Sequence, residues 1–230
     1  VSSRPFIVAI DGPAGAGKST VSKLLARRLG FALVDTGAIY RCVALMAQRE
    51  GIAFDDDAQL EALLGRIHIH FQVVGEENHV LLDGQDVSSE IRAPEVSMNA
   101  SQVSSRPVVR TGLLALQRRL ALEAEKGAIL EGRDIGTVVF PDADAKFFLE
   151  ASSEIRARRR YEELFQKGVE RSLEDVLADQ IQRDRDDSTR AVAPLKAAED
   201  AVRVDSSVLP LSEVVHQMEH EIQRRLTQRG

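Results

Sequence analysis

The eight residues Gly12-Pro13-Ala14-Gly15-Ala16-Gly17-Lys18-Ser19 combine glycines, one ammonium and one hydroxyl at a spacing suited to a chain of phosphates. Glycine lets successive backbone N–H groups turn inward around oxyanions, and a helix starting near Lys18 would aim its positive end at the same point. Lys18 then adds a full charge between β- and γ-oxygens, and the Ser19 hydroxyl is the expected Mg²⁺ ligand, with Thr20 closing the binding stretch. Binding of a nucleoside triphosphate follows from this pattern. What receives the phosphate does not.

The motif needs a strand before it and a helix after it, and the sequence supplies both. Residues 6–10 form a β-branched, apolar run that reads as a buried parallel strand. From Lys18 the apolar residues Val21, Leu24, Leu25 and Leu29 recur at helical spacing, and Gly30 is a stop signal. A strand at 32–34 and a helix at about 37–50, closed by Gly51, continue the alternation and make a parallel sheet the expectation. Between about 55 and 92 the period changes to two at 67–71, followed by turns at 75–78 and at Asp83-Gly84 around a strand at 80–82, which reads as a small antiparallel insert. Helices at about 94–104 and 107–126 each open on proline. Strands follow at 128–130, 146–149 and 201–204, with charged helices at 153–165 and 172–185 and a terminal amphipathic helix at 211–226.

Composition narrows the classes. The chain of 230 residues has a formal net charge of -6, so the overall field offers nothing to nucleic acid or an anionic membrane, and neither is expected as a partner. Twenty-four Arg against six Lys fits either a genomic bias or many sites that grip phosphates bidentately. The one cysteine, Cys42, allows no intramolecular disulfide and agrees with a reducing cytoplasm. A regulatory GTPase would carry Asn-Lys-x-Asp, yet neither Asn78 nor Asn99 precedes lysine. Motor and helicase ATPases end an apolar strand in paired acids, whereas the strand at 128–130 runs into Glu131-Gly132-Arg133-Asp134. A small-molecule kinase fits better.

Four segments, in order, carry a resemblance to the bacterial cytidylate kinase family. They are the glycine loop, Asp35-Thr36-Gly37-Ala38-Ile39-Tyr40-Arg41, Gly132-Arg133-Asp134 with Gly136-Thr137-Val138-Val139-Phe140-Pro141, and Arg190-Ala191-Val192-Ala193-Pro194-Leu195. The resemblance implies the nucleoside monophosphate kinase fold: an α/β, five-stranded parallel sheet flanked by helices, with a small β-rich acceptor-binding insert and a helical lid. On this sequence the core falls at 1–54, 93–152 and 191–230, the insert at about 55–92 and the lid at about 153–190. It implies ATP and Mg²⁺ with CMP and dCMP as acceptors, in a cytoplasmic monomer. Thr36 and Arg41 are then expected to hold the acceptor nucleotide, and Ser101, Arg110 and Asp134 to read cytosine. Arg133, Arg183 and Arg190 are expected on the acceptor phosphate and, with Lys18, in catalysis, while Asp187 is expected near the sugar. Two rivals stand beside this reading: a kinase for another small acceptor such as UMP, AMP or a polyol, and a nucleotide-dependent switch or nucleic-acid-binding ATPase.

These residue types suit the chemistry. A phosphate monoester loses its second proton near about pH 6, so no general base is needed, and the task is to bring two polyanions in line among fixed cations. Arginine offers a planar donor fork that matches phosphate oxygens. Cytosine presents an exocyclic amine and a ring acceptor, for which Asp134 and Ser101 as acceptors and Arg110 as donor are complementary. Glu131 is a candidate to hold a Mg²⁺-bound water, or else a structural acid. The run Arg156, Arg158, Arg159, Arg160 is either a solvated helix face or part of a lid over ATP. Cys42 reads as a core residue before a reactive one, and Asp142 and Asp144 as turn residues before a metal pair.

Overall fold

Short apolar runs alternating with amphipathic helices call for a sheet covered on both faces, and a computed structural model, which describes residues 4–75 and 77–229, shows that arrangement. In chain order the elements are β1 (Phe6–Asp11), α1 (Lys18–Leu29), β2 (Ala32–Asp35), α2 (Thr36–Arg49), α3 (Asp57–Leu64), β3 (Ile69–Val74), β4 (Glu77–Leu82), β5 (Gln85–Asp86), α4 (Pro94–Ser105) and α5 (Pro107–Leu122). There follow β6 (Gly127–Gly132), β7 (Ala145–Glu150), α6 (Ser153–Gln166), α7 (Leu173–Thr189), β8 (Val202–Asp205) and α8 (Leu211–Arg229). A 3-10 turn lies at Glu90–Arg92 and a π-helical turn at Ile135–Val139. No helix among the described residues is long and apolar enough to cross a membrane.

The chain divides into two compact units, Val1–Leu33 with Ala121–Gly230, and Val34–Leu120. The first is built on a five-stranded parallel sheet in the order β2-β6-β1-β7-β8. Strand β1 lies at its centre, Phe6 to Asp11 in register with Gly127 to Gly132 on one side and Val8 to Asp11 with Ala145 to Phe148 on the other. Every residue of β1 and β6 is buried, which is why both read as continuous apolar runs without alternation. Val8, Ile10, Ile129, Phe147 and Leu149 of the sheet pack with Val21 and Leu25 of α1 and with Val214, Val215, Met218 and Ile222 of α8. Each such side chain stabilises the fold by about 1.5–3 kcal/mol relative to exposure. Asp144, expected in a turn, anchors this layer: its carboxylate accepts from the Ile7 N–H at 2.7 Å and pairs with Arg4 and Arg229, both at 3.1 Å. Helices α6 and α7 form a hairpin around Ala157, Leu164 and Val176, turned at Gly168 and capped by the Ser172 hydroxyl, which accepts from the Asp175 N–H at 3.0 Å.

In the second unit α2 packs on α3 and α4, and the antiparallel sheet β3-β4-β5 stands in place of the expected insert strands. The structure corrects two expectations there. The insert does not begin as sheet: Asp56 caps a short helix, α3, whose Leu60 and Leu63 are fully buried. The turn expected at 75–78 is tighter, because Glu77 and Asn78 already pair with Val74 and Val73; residue 76 of that turn lies outside the described residues. The Asp83-Gly84 turn has positive φ at both positions, 49° and 82°, the geometry that tight hairpins demand. Helix α5 also ends four residues earlier than expected, at Leu122.

Candidate active site

The end of β1 leads into the glycine loop, and close packing explains its composition. A Cβ on Gly12 would lie 2.0 Å from the Leu149 carbonyl oxygen, and Gly17, which leads into α1, has φ of 92°. The Lys18 side chain is buried and donates to the Pro13 carbonyl at 2.7 Å. Ser19 Oγ donates to Glu131 Oε2 at 2.8 Å, so the end of β6 meets the start of α1 through two oxygens. Thr20, the next residue, is exposed in the first turn of α1.

Beyond β6 a cluster of cations closes around one acid. Arg133 Nε donates to Asp187 Oδ2 at 2.9 Å, and Arg190 reaches Asp187 at 3.5 Å and Asp134 at 3.9 Å. Arg190 is fixed by donating Nε to the Ala193 carbonyl at 2.6 Å, and Ala193 holds a left-handed φ of 52° to present it. Burial alone would raise the Asp187 carboxyl, but Arg133, Arg183 and Arg190 hold it below the usual carboxylate range. Burial, and then the charges of Arg133 and Arg183, push the Lys18 ammonium well below the usual lysine range against the pull of Glu131 and Asp187. Lys18, Arg133, Arg183 and Arg190 thus come together in the first unit with Glu131, Asp134 and Asp187. Such a cluster is a site in wait of negative charge.

Asp11 was not singled out by sequence, although it directly precedes the glycine loop. Its buried carboxylate accepts from the Ile135 N–H at 2.8 Å and the Gly136 N–H at 2.7 Å, pinning the backbone that follows Arg133 and Asp134. Burial, helped by Asp134 and opposed by those N–H groups and Lys18, raises its carboxyl from an ordinary 3.8 to about 6. Below pH 3.8 the group is neutral in both folded and unfolded chains. Above about 6 it is ionised in both, and the burial cost is complete, about 3 kcal/mol. Its contribution to stability therefore falls as pH rises across that window. Denaturant unfolding of the wild type and Asp11→Asn from pH 4 to 7 is expected to show the variant gaining on the wild type as pH rises. A difference that does not move with pH would refute this account.

The second unit carries the other expected residues. Thr36 opens α2 and is buried. Asp35 caps that helix, accepting from the Ala38 N–H at 2.9 Å, and its second oxygen takes Arg41 Nη2 at 2.9 Å. A Cβ on Gly37 would sit 3.2 Å from Arg41 Nη1, so glycine there lets Arg41 fold back on the helix start. Arg110 is buried, lies 5.2 Å from the Tyr40 ring centre and donates to the Ser104 carbonyl at 3.0 Å. The Ser104 hydroxyl donates to the Ser101 carbonyl at 3.0 Å, which joins the two expected base-reading positions. Cys42 is buried in α2, and burial pushes its thiol up to about 12 in spite of Arg41, so it is a packing residue.

The arginine run divides. Arg158 is exposed and Arg160 pairs with Glu163 at 2.8 Å, as on a solvated face. The solvated reading fails for Arg156, which is buried against Asp184 and the loop carbonyl of Ala14, while Arg159 is exposed yet donates to the Ser206 carbonyl. The sequence gives no signal for Asp184, Gln180 or Ser206, because their partners are distant in the chain.

Against known proteins, the cytidylate kinase family model matches residues 8–224. The chain is 55% identical to the cytidylate kinase of Geobacter sp. (strain M21), covering 99% of this chain and 97% of that protein. It is 54% identical to that of Geobacter sulfurreducens, over 96% and 94%, and 47% identical to that of Haemophilus ducreyi, over 92% and 94%. With the glycine loop, the parallel sheet and a match of this extent, the chain belongs to the cytidylate kinase family.

Proposed function

We propose that the protein transfers the γ-phosphoryl group of ATP to CMP, giving ADP and CDP, and accepts dCMP in the same way. Family membership supports the reaction class. The observation that carries the chemistry is the gathering of Lys18, Arg133, Arg183 and Arg190 around Asp187 in the unit that holds the glycine loop.

The acceptor phosphate is largely ionised at neutral pH, so these side chains need move no proton. Backbone N–H groups of Gly12, Pro13's successors Ala14 and Gly15, and Ala16 to Ser19 cradle the donor phosphates, and Lys18 exchanges the Pro13 carbonyl for their oxygens. The arginine forks hold the acceptor phosphate and the transferring group in line and stabilise charge that spreads over the equatorial oxygens. Asp187 orients Arg133 and Arg190 toward the acceptor phosphate, and its place near the sugar is part of the same assignment. Ser19 and Glu131 form an all-oxygen donor set that fits a hard divalent cation. These two residues would hold Mg²⁺, which when bound neutralises charge on the donor phosphates.

Thr36 and Arg41 are assigned to the acceptor nucleotide, Arg41 to its phosphate. Arg110, oriented by Tyr40 and Ser104, supplies a fixed donor for the base, and Ser101 and Asp134 supply acceptors. Uracil would leave such an acceptor unpaired, a mismatch that desolvated sites punish heavily. Residues 55–92 are assigned to acceptor binding and 153–190 to the lid, in a cytoplasmic monomer. The test is ADP production from ATP and Mg²⁺ with CMP, dCMP, UMP, AMP or GMP offered separately, beside a control without acceptor. Selectivity for CMP and dCMP is expected. Equal turnover with all five, or hydrolysis alone, would overturn the proposal.

A further inference from the structure

We infer that Arg156, Gln180 and Ser206 are positioning residues that hold the glycine loop in its phosphate-binding shape from behind. A loop that turns its N–H groups inward around phosphates must turn carbonyls outward, and buried carbonyls need donors. In this chain two loop carbonyls, those of Ala14 and Ala16, are met by side chains from three remote segments. The Ala14 carbonyl accepts from Arg156 Nη1 of α6 at 3.0 Å and from Gln180 Nε2 of α7 at 2.6 Å. The Ala16 carbonyl accepts from Ser206 Oγ, just past β8, at 2.9 Å. Arg156, Gln180 and Ser206 are all buried, at 4%, 7% and 6% exposure.

Two of the three, Arg156 and Ser206, are themselves held. Arg156 pairs with Asp184 of α7 and donates Nε to the Ala151 carbonyl at 2.8 Å. Ser206 takes Arg159 Nη1 at 3.2 Å and lies 3.2 Å from the Glu150 carbonyl. The fit is tight, since a Cβ on Gly15 would stand 3.1 Å from Arg156 Cβ. Loop shape is thereby tied to the α6–α7 hairpin: a movement of that hairpin withdraws both donors from Ala14 and frees its peptide to rotate. Gln180 carries no charge and spends its Nε2 on the Ala14 carbonyl, so its loss removes no cation from the nucleotide, which separates this role from that of a lid arginine that simply touches ATP.

The inference rests on the proposed role of the glycine loop, and the experiment keeps the two apart. ADP and CMP affinities are measured by calorimetry on the full chain for the wild type, Gln180→Met, Ser206→Ala, Ser206→Thr and Lys18→Ala. Gln180→Met keeps side-chain length and loses the donor; Ser206→Thr keeps the hydroxyl. Loss of one buried hydrogen bond is expected to weaken ADP binding about five- to tenfold in Gln180→Met and Ser206→Ala. CMP affinity stays close to wild type, and Ser206→Thr restores ADP binding. Wild-type ADP affinity in both variants, with weak binding in Lys18→Ala, would sink this inference and leave the loop assignment intact. Strong binding in Lys18→Ala would sink the loop assignment itself. A parallel loss of ADP and CMP affinity with a lowered melting temperature would mark the residues as general supports and also overturn the inference. Ser206→Ala carries the test alone should Gln180→Met fail to fold.

Discussion

Lys18→Ala and Arg133→Ala are each expected to lower kcat with CMP by about a hundredfold or more, the scale seen when one donor aimed at transition-state charge is removed, roughly 2.7 to 4 kcal/mol. Lys18 is buried and its ammonium is already strained by Arg133 and Arg183, so its charge counts most when phosphate oxygens arrive. Arg133 contributes a fork that is held in direction by Asp187 at 2.9 Å, an orientation a lysine could not copy. The measurement is steady-state turnover at saturating ATP and CMP, with circular dichroism to establish that each variant is folded. A folded variant of either kind with near-normal turnover would remove that residue from the catalytic set.

Gly12→Ala is expected to be the most damaging small substitution in the loop. Its Cβ would overlap the Leu149 carbonyl oxygen at 2.0 Å, and φ of 149° is a region that alanine avoids. Neither neighbour can yield cheaply, because β1 and β7 are paired from Val8 to Asp11 and lie in the centre of the sheet. Overpacking and backbone strain together suggest a loss of about 2–5 kcal/mol, with the loop displaced and turnover falling with it. Gly17→Ala is the comparison: φ is 92° but nothing stands within 4 Å of the added Cβ, so only the conformational cost of about 1–2 kcal/mol applies. Chemical denaturation of both variants decides the matter. Equal losses would mean that the approach of Leu149 is not what demands glycine at position 12.

How much of this could be read from the chain depended on how local the cause was. The limits of α1 were legible to the residue, since Gly17 and Gly30 both carry the left-handed backbone that begins and ends it. Helix α3 was not: eight residues give barely two turns of periodicity, and its cap at Asp56 sits in a run of three aspartates that reads as loop. The π-helical turn at Ile135–Val139 was equally silent, because it is held by Asp11 from a strand far earlier in the chain. The same division runs through the site. Residue types in the four matched segments pointed to phosphate and cytosine, and family resemblance supplied their roles. That Asp187 is the common partner of two arginines, that Arg156 is buried, and that Gln180 reaches the loop all depend on tertiary contacts with no trace in spacing.

The path of the chain through its sheet has a consequence for how the protein comes to be made. Strand β1 is made well before both its partners, β6 and β7, which come after the whole of Val34–Leu120. During synthesis that later stretch can gather its own helices and hairpin from contacts within itself, while the five consecutive core residues Phe6 to Ile10 of β1 wait without a neighbour. Pairing across so long an interval is slow, and an apolar strand left open in the meantime is prone to join the wrong one. The central position that makes β1 a firm base for the glycine loop also gives it the longest wait of any strand in the sheet before its neighbours are made.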